Sequence, residues 1–392
     1  MNSKSLSSER RMITKTGLLY NGIFLLILFF FFSSIERIED FLLIGIIIFL
    51  LTAYGASEKL IIPKVVSRTL IIMILCWGIS LFGAKYNQIY SILRFAFLIL
   101  LFLIIANDKD DLLKNQRTGS WFYYVLLLLV IYNIYRSYSR DVTFDSIGDR
   151  NYTGVLIFFL FLYSNKTKHL CGVIIPLVYA LFFTQGRTYR VVVVLFYLII
   201  LFQKLIYVLK KRLKMSEFRI SFRTLFLIGF IGTAIFSFFW VFYVSAGGVG
   251  EYHSGINDTS NRLRFVANIN GFDMLQDPKN TLIWGYGNYL KEHLGIDTQS
   301  GAMTTYYLGV RLEQPHNSIL NFVLRAGIIP GFLYFNLLAA LLEKINRKDN
   351  CPYLYPYMLN GMIMHSLFEG VWLIFWLVIL LMPKREGRWR MI

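Results

Sequence analysis

Acidic side chains are scarce. The chain has 392 residues, with Asp and Glu numbering 23 against 40 Lys and Arg. Charged residues together make up 16%, where an average soluble domain carries about 25%. Histidine occurs five times, proline eight times and cysteine three times. Cys76, Cys171 and Cys351 are odd in number and lie in or beside apolar runs, so they make neither a disulfide framework nor a zinc spacing. No Gly-x-x-x-x-Gly-Lys loop is present, which excludes a P-loop nucleotide site, and no His-Glu-x-x-His is present either. Glu251, Asp258, Asp273, Asp277, Glu292, Asp297 and Glu313 are scattered and compose no convincing acidic metal site. The sequence calls for no metal and no cofactor.

Long uncharged runs are what the chain has in abundance. Hydrophobic residues make up 56%, and the mean hydropathy is +0.55. One aqueous core cannot bury that surplus, so lipid must solvate much of the surface. Runs such as Gly17–Ser34, and Val191–Ile206 with Lys204 as its one charge, approach the length of a spanning helix. In lipid every backbone N–H and C=O must pair internally, which favours helices, and the runs lack the alternation of a barrel strand. The expected fold is an all-α polytopic membrane protein. Twelve spans are predicted near 17–34, 41–55, 69–83, 89–106, 121–135, 152–164, 170–184, 191–209, 223–244, 318–342, 353–367 and 369–383.

The net charge of +17 would suggest nucleic acid in a soluble protein. Here it reads as loop Lys and Arg that orient helices, with membrane lipids and not nucleic acid as the partner. Basic clusters stand at the N-terminus (Lys4, Arg10, Arg11, Lys15), after the eighth span (Lys210, Lys211, Arg212, Lys214, Arg219, Arg223) and in the tail (Lys384, Arg385, Arg388, Arg390). Twelve spans place all three on the cytoplasmic side. The basic and then apolar N-terminus has no small-residue cleavage site after it and reads as a retained first helix.

The chain divides into residues 1–244 with nine spans, a polar Gly-rich segment at 245–317, and residues 318–392 with three spans and the basic tail. The 245–317 segment falls on the extracytoplasmic side. Long connections are usually functional or disordered, and its aromatics, Phe265, Phe272, Trp284, Tyr286 and Tyr289, argue against disorder. Short helices over the mouth of the bundle are expected there.

Three polar groups fall on that side. In Thr184-Gln185-Gly186-Arg187-Thr188-Tyr189-Arg190, two arginines meet a membrane boundary. They snorkel to headgroups, or they clamp phosphate with the guanidinium fork while Gly186 admits a ligand close to the backbone. In Thr259-Ser260-Asn261-Arg262-Leu263-Arg264, two arginines stand two apart. On a helix they diverge by about 200°, so one of them faces a site or both are solvated. In Pro315-His316-Asn317, a rare histidine ends the loop at the membrane face. His316 is structural or a general base, and Asn317 orients a substrate hydroxyl or caps span ten.

In order and spacing, Thr-Gln-Gly-Arg, Thr-Ser-Asn-Arg, Trp-Gly-Tyr-Gly and His-Asn with glycine downstream resemble the O-antigen ligase and polymerase superfamily of bacterial surface-polysaccharide synthesis. The resemblance covers roughly residues 148–370, and Gly148-Asp149-Arg150-Asn151 resembles an element of many polymerases. The ligase form of the last motif is His-Asn, nine residues, then Gly-x-x-Gly. Gly327 keeps that spacing, but the next glycine is Gly331, one position late, with Pro330 in its place.

The resemblance implies a membrane glycosyltransferase of the GT-C-like kind, with one large periplasmic loop, in the bacterial inner membrane. It implies a donor glycan on undecaprenyl diphosphate and, as acceptor, a lipid-linked glycan or lipid A–core. It assigns catalytic work to His316, Arg187, Arg262 and Arg264, and substrate binding to Arg190, Asn317, Gly186 and Asn151. Polymerase and ligase both remain open, the high Phe, Tyr, Ile and Lys content leaning to polymerase. A lipid-linked glycan flippase is the competing class; it should place charges inside spans, often on broken helices.

Overall fold

Uninterrupted apolar segments have no competing partner for their backbone groups, and the chain folds as helices wherever such a segment is described. The computed structural model describes residues 62–80, 89–107, 120–138, 150–179, 187–213, 221–245, 259–283, 285–286, 306–307, 310–311, 315–345, 351–364 and 367–381. Only Ile44, Gly45, Ile47 and Ile48, all helical, are described before these, so the span expected at 17–34 and all but these four residues of that at 41–55 lie outside the described residues.

The helices are α1 Lys64–Ser80, α2 Ile89–Asn107, α3 Ser120–Tyr138, α4 Arg150–Thr167, α5 Cys171–Val178, α6 Arg187–Leu213 and α7 Phe222–Ser245. Then come α8 Thr259–Met274, α9 Pro278–Thr281, α10 Ser318–Ala326, α11 Ile328–Ile345, α12 Cys351–Ile363 and α13 Gly370–Leu381. Two two-residue strands, β1 Tyr306–Tyr307 and β2 Val310–Arg311, pair antiparallel, with Tyr306 opposite Arg311. Among the described residues the fold is all-α apart from this ribbon. By length and composition, two helical stretches among the described residues can cross a membrane, Phe222–Phe239 and Ile328–Ile345.

Two helices organise the packing. Along α4 every side chain from Val155 to Ser164 is buried, and α3, α5, α6 and α13 all touch it. Aromatic rings fill this region: Tyr357 stacks on Trp376 at 4.1 Å between centroids, and Phe159 meets Phe375 edge-on at 4.9 Å. The second is α11, which contacts α1, α2, α7 and α10. Large apolar side chains also point outward, among them Ile235 at 64% exposure and Phe239 at 65% on α7. Water makes such a continuous apolar face costly, and a hydrocarbon solvent removes that cost.

A cation sits at one end of the bundle. Lys166 is buried at the last turn of α4, and its ammonium donates to the Leu380 carbonyl at the end of α13 at 2.6 Å and lies over the Tyr353 ring. The carbonyl end of a helix carries partial negative charge, so a cation is favoured there.

The structure corrects one expected span. Residues 318–342 are not a single helix. Gly327 breaks them with φ 100° and ψ 159°, a conformation that a side chain would oppose. Phe322 then stacks on Tyr334 with centroids 4.2 Å apart; twelve residues along an unbroken helix they would be ~18 Å apart. The short helix α10 therefore folds back against α11. The last apolar stretch is two helices, α12 and α13, divided by residues 364–369.

Candidate functional site

The site is built around the start of α10. Asn317 is its N-cap: the side-chain Oδ1 accepts from the Ile319 and Leu320 backbone N–H groups, both at 2.9 Å. Its Nδ2 donates to Thr233 Oγ1 at 2.8 Å and to the Met362 carbonyl at 3.2 Å. One fully buried amide thus ties together α10, the middle of α7 and the end of α12. Both donors and the acceptor are used, so the side chain holds backbone in place. Of the two roles open for Asn317, the capping one is seen in the geometry. His316 is the half-buried residue immediately before this cap.

The next residue reinforces the anchorage. Ser318 Oγ donates to the Met364 carbonyl at 2.6 Å and accepts from the Leu367 N–H at 3.0 Å. Tyr334 and Tyr357 donate to the carbonyls of Phe368 and Leu367 at 2.8 and 2.7 Å. The short connection between α12 and α13 is therefore the bed on which α10 and α11 rest.

The opposite side of α10 carries the 245–317 segment. Its first helix, α8, runs antiparallel along the second half of α7: Phe265 meets Phe236 at 5.1 Å and Phe272 meets Phe230 at 5.3 Å, while Asn268 Nδ2 donates to Ser237 Oγ at 3.3 Å. α8 also packs on α10. At Gly271 a Cβ would fall 2.7 Å from Pro315 Cγ and 3.0 Å from Leu320 Cδ2. The helix bearing Arg262 and Arg264 and the segment bearing His316 are thereby brought against each other. Arg264 is half-buried; the side chain of Arg262 lies outside the described residues.

Farther along, the segment straps the end of α10. The Tyr286 N–H donates to the Leu324 carbonyl at 2.8 Å, and the Ile329 N–H donates to the Leu282 carbonyl at 3.0 Å. At Gly285 a Cβ would collide with the Leu324 and Arg325 carbonyls, so only glycine lets the strap lie this close. Burial raises the Tyr286 phenol above its ordinary value, and the charge of Asp277 and its hydrogen bond raise it further.

The other expected residues stand on neighbouring helices. Arg187 opens α6 and Asn151 lies in the first turn of α4, their side chains outside the described residues, as is Gly186 altogether. Arg190 is exposed on the first turn of α6. α12 packs against both α6, where Phe196 meets Tyr353, and α10. Among the described residues no three His, Cys, Asp or Glu side chains gather as metal ligands.

A charged cluster here went unread in the sequence. Glu369, 2% exposed, pairs with Arg94 of α2 and, at 3.1 Å, with Arg325 at the end of α10. The available signal was position: Arg94 and Arg325 interrupt otherwise apolar runs, and an ionisable group inside such a run marks function or a buried partner.

Comparison with known proteins finds no matching family model, no matching curated protein and no matching solved structure.

Proposed function

We propose that this protein is a multi-pass glycosyltransferase of the bacterial inner membrane, with about twelve spans and both termini cytoplasmic. It transfers a glycan from undecaprenyl diphosphate to an acceptor sugar at the periplasmic face, as a repeat-unit polymerase. The observation that carries the reading is the packing of the Thr259-Ser260-Asn261-Arg262 helix on the helix that His316 and Asn317 precede. Two helices far apart in the chain, one opened by an arginine element and one preceded by His316, pack on each other, which supports reading them as parts of one site.

The chemistry follows from the residue types. Arg187 with Arg262 or Arg264, assisted by Arg190, holds the diphosphate and stabilises the charge that develops as it leaves. His316 takes the proton of the acceptor hydroxyl. The hydroxyl oxygen bonds to the anomeric carbon from the face opposite the diphosphate, the carbon–oxygen bond to the diphosphate breaks, and undecaprenyl diphosphate departs with the electron pair. The anomeric configuration inverts. The glycosyl diphosphate supplies the driving force.

A ligase that moves the finished chain onto lipid A–core uses the same chemistry with a different acceptor. A transporter of lipid-linked glycans is the second reading, and specific observations favour it: the break at Gly327 and the buried Arg94–Glu369–Arg325 cluster fit the broken helices and buried charges of transport sites. Purified protein incubated with a lipid-linked repeat unit separates the three. Longer lipid-linked chains support polymerase. Transfer that requires lipid A–core supports ligase. Unchanged substrate under both conditions contradicts the enzyme reading and favours transport.

A further inference from the structure

Glu369 is the one carboxylate among the buried charged residues of the described structure, and both of its oxygens are engaged, Oε2 by Arg94 and Oε1 by Arg325. Taking these charges out of water is expensive, and removing one partner from such a group is more so. The cluster lies at a particular place. Arg325 is the last-turn cation of α10, a helix of only nine residues. At its other end α10 is fixed by Asn317 and Ser318 to Met362, Met364 and Leu367. The connection that holds the beginning of α10 therefore holds its end as well, through Glu369, and Arg94 bolts that connection to α2.

We propose that Glu369, with Arg94 and Arg325, is a positioning device: it fixes α10 at both ends and so sets the place of His316 relative to α8. This rests on the glycosyltransferase reading for its catalytic consequence, but its structural part does not. A nine-residue helix is too short to hold its own orientation. Its N-terminal hydrogen bonds fix its first turn, and the ion pair holds its last turn together with the strap's hydrogen bond to the Leu324 carbonyl. The Gly285 strap bears on the Leu324 and Arg325 carbonyls from the opposite side, so a shift of Arg325 is passed to the periplasmic segment too.

The test uses the full chain with Cys76, Cys171 and Cys351 replaced by Ser and with His316→Cys as a reporter. The labelling rate of that thiol by a water-soluble maleimide is read with Glu369 intact, with Glu369→Gln, and with Arg325→Lys, which keeps the charge but loses the fork. The expected result is a change of at least fivefold with Glu369→Gln and a smaller one in the same direction with Arg325→Lys. Unchanged rates in both variants overturn the proposal. If Glu369→Gln fails to insert, Arg325→Lys alone decides.

Activity is read in parallel in the chain that keeps His316. Glu369→Gln lowers kcat by tenfold or more and leaves the donor KM within about twofold. A rise in KM at constant kcat assigns the cluster to donor binding and contradicts positioning. Should His316→Ala prove as active as the unaltered protein, the glycosyltransferase reading fails while the labelling result stands on its own.

Discussion

The side-chain amide of Asn317 reaches Thr233, halfway along α7, with its Nδ2 2.8 Å from the threonine hydroxyl. That hydroxyl in turn donates to the Gly229 carbonyl, also at 2.8 Å. A residue that begins a short helix is thus fastened to the interior of a long one. Asn317→Ala removes the cap and both donors, and a loss of about 1–3 kcal/mol is expected. Thr233→Ala alone costs about 1 kcal/mol. Because the two share one hydrogen bond, the double variant loses less than the sum. Thermal unfolding in detergent measures all three; strictly additive losses would show that the contact contributes nothing.

At Gly285 the backbone of the strap lies on the Leu324 and Arg325 carbonyls. Gly285→Ala forces the strap outward at a cost of about 1–3 kcal/mol, the range for overpacking a close contact. Limited proteolysis near residues 282–286 reads the displacement as faster cleavage. Cleavage at the unaltered rate means that the strap is not seated on α10.

Tyr286 gives the strap a pH signature. Its folded-state value is raised, first by burial and then by Asp277, so the neutral phenol is favoured in the fold. The contribution to stability is complete below the ordinary tyrosine value of about 10 and is lost as pH rises through the higher folded-state value. Tyr286→Phe removes this alkaline loss. Unfolding temperatures measured across that range fall less steeply for the variant; parallel curves would count against a raised Tyr286 phenol.

Much of this was legible in the sequence. The helical class and the helices at 89–107, 120–138, 150–167 and 222–245 follow the apolar runs closely, because a long run without charge has few other ways to satisfy its backbone. The break at Gly327 was not legible as a break. Ile-Ile-Pro-Gly after it reads as apolar continuation, and only the fold-back of Phe322 onto Tyr334 gives the left-handed glycine its meaning. Within the Trp-Gly-Tyr-Gly element, Gly285 and Tyr286 make a backbone contact with α10, which no spacing rule encodes. The Arg94–Glu369–Arg325 cluster joins three residues distant in sequence, each of which alone reads as an interruption of an apolar run.

Substitution of Arg187 tests whether the proposed clamp recognises phosphate or only charge. On the proposed reading, Arg187→Ala is expected to abolish product while the protein still inserts in the membrane. Arg187→Lys keeps the charge without the fork and restores only part of the activity. Turnover of a lipid-linked repeat unit by each purified variant measures this, and normal product from Arg187→Ala contradicts the clamp.

Deletion of the gene in its own host, complemented with the unaltered protein or with His316→Ala, tests the central claim most directly. The surface polysaccharide is run on a gel. The account predicts core bearing a single repeat unit in the deletion, a full ladder restored by the unaltered protein, and no ladder with His316→Ala. Bare core with long glycan left on undecaprenyl diphosphate would move the assignment to ligase, and an unchanged ladder in the deletion would contradict the account for O-antigen.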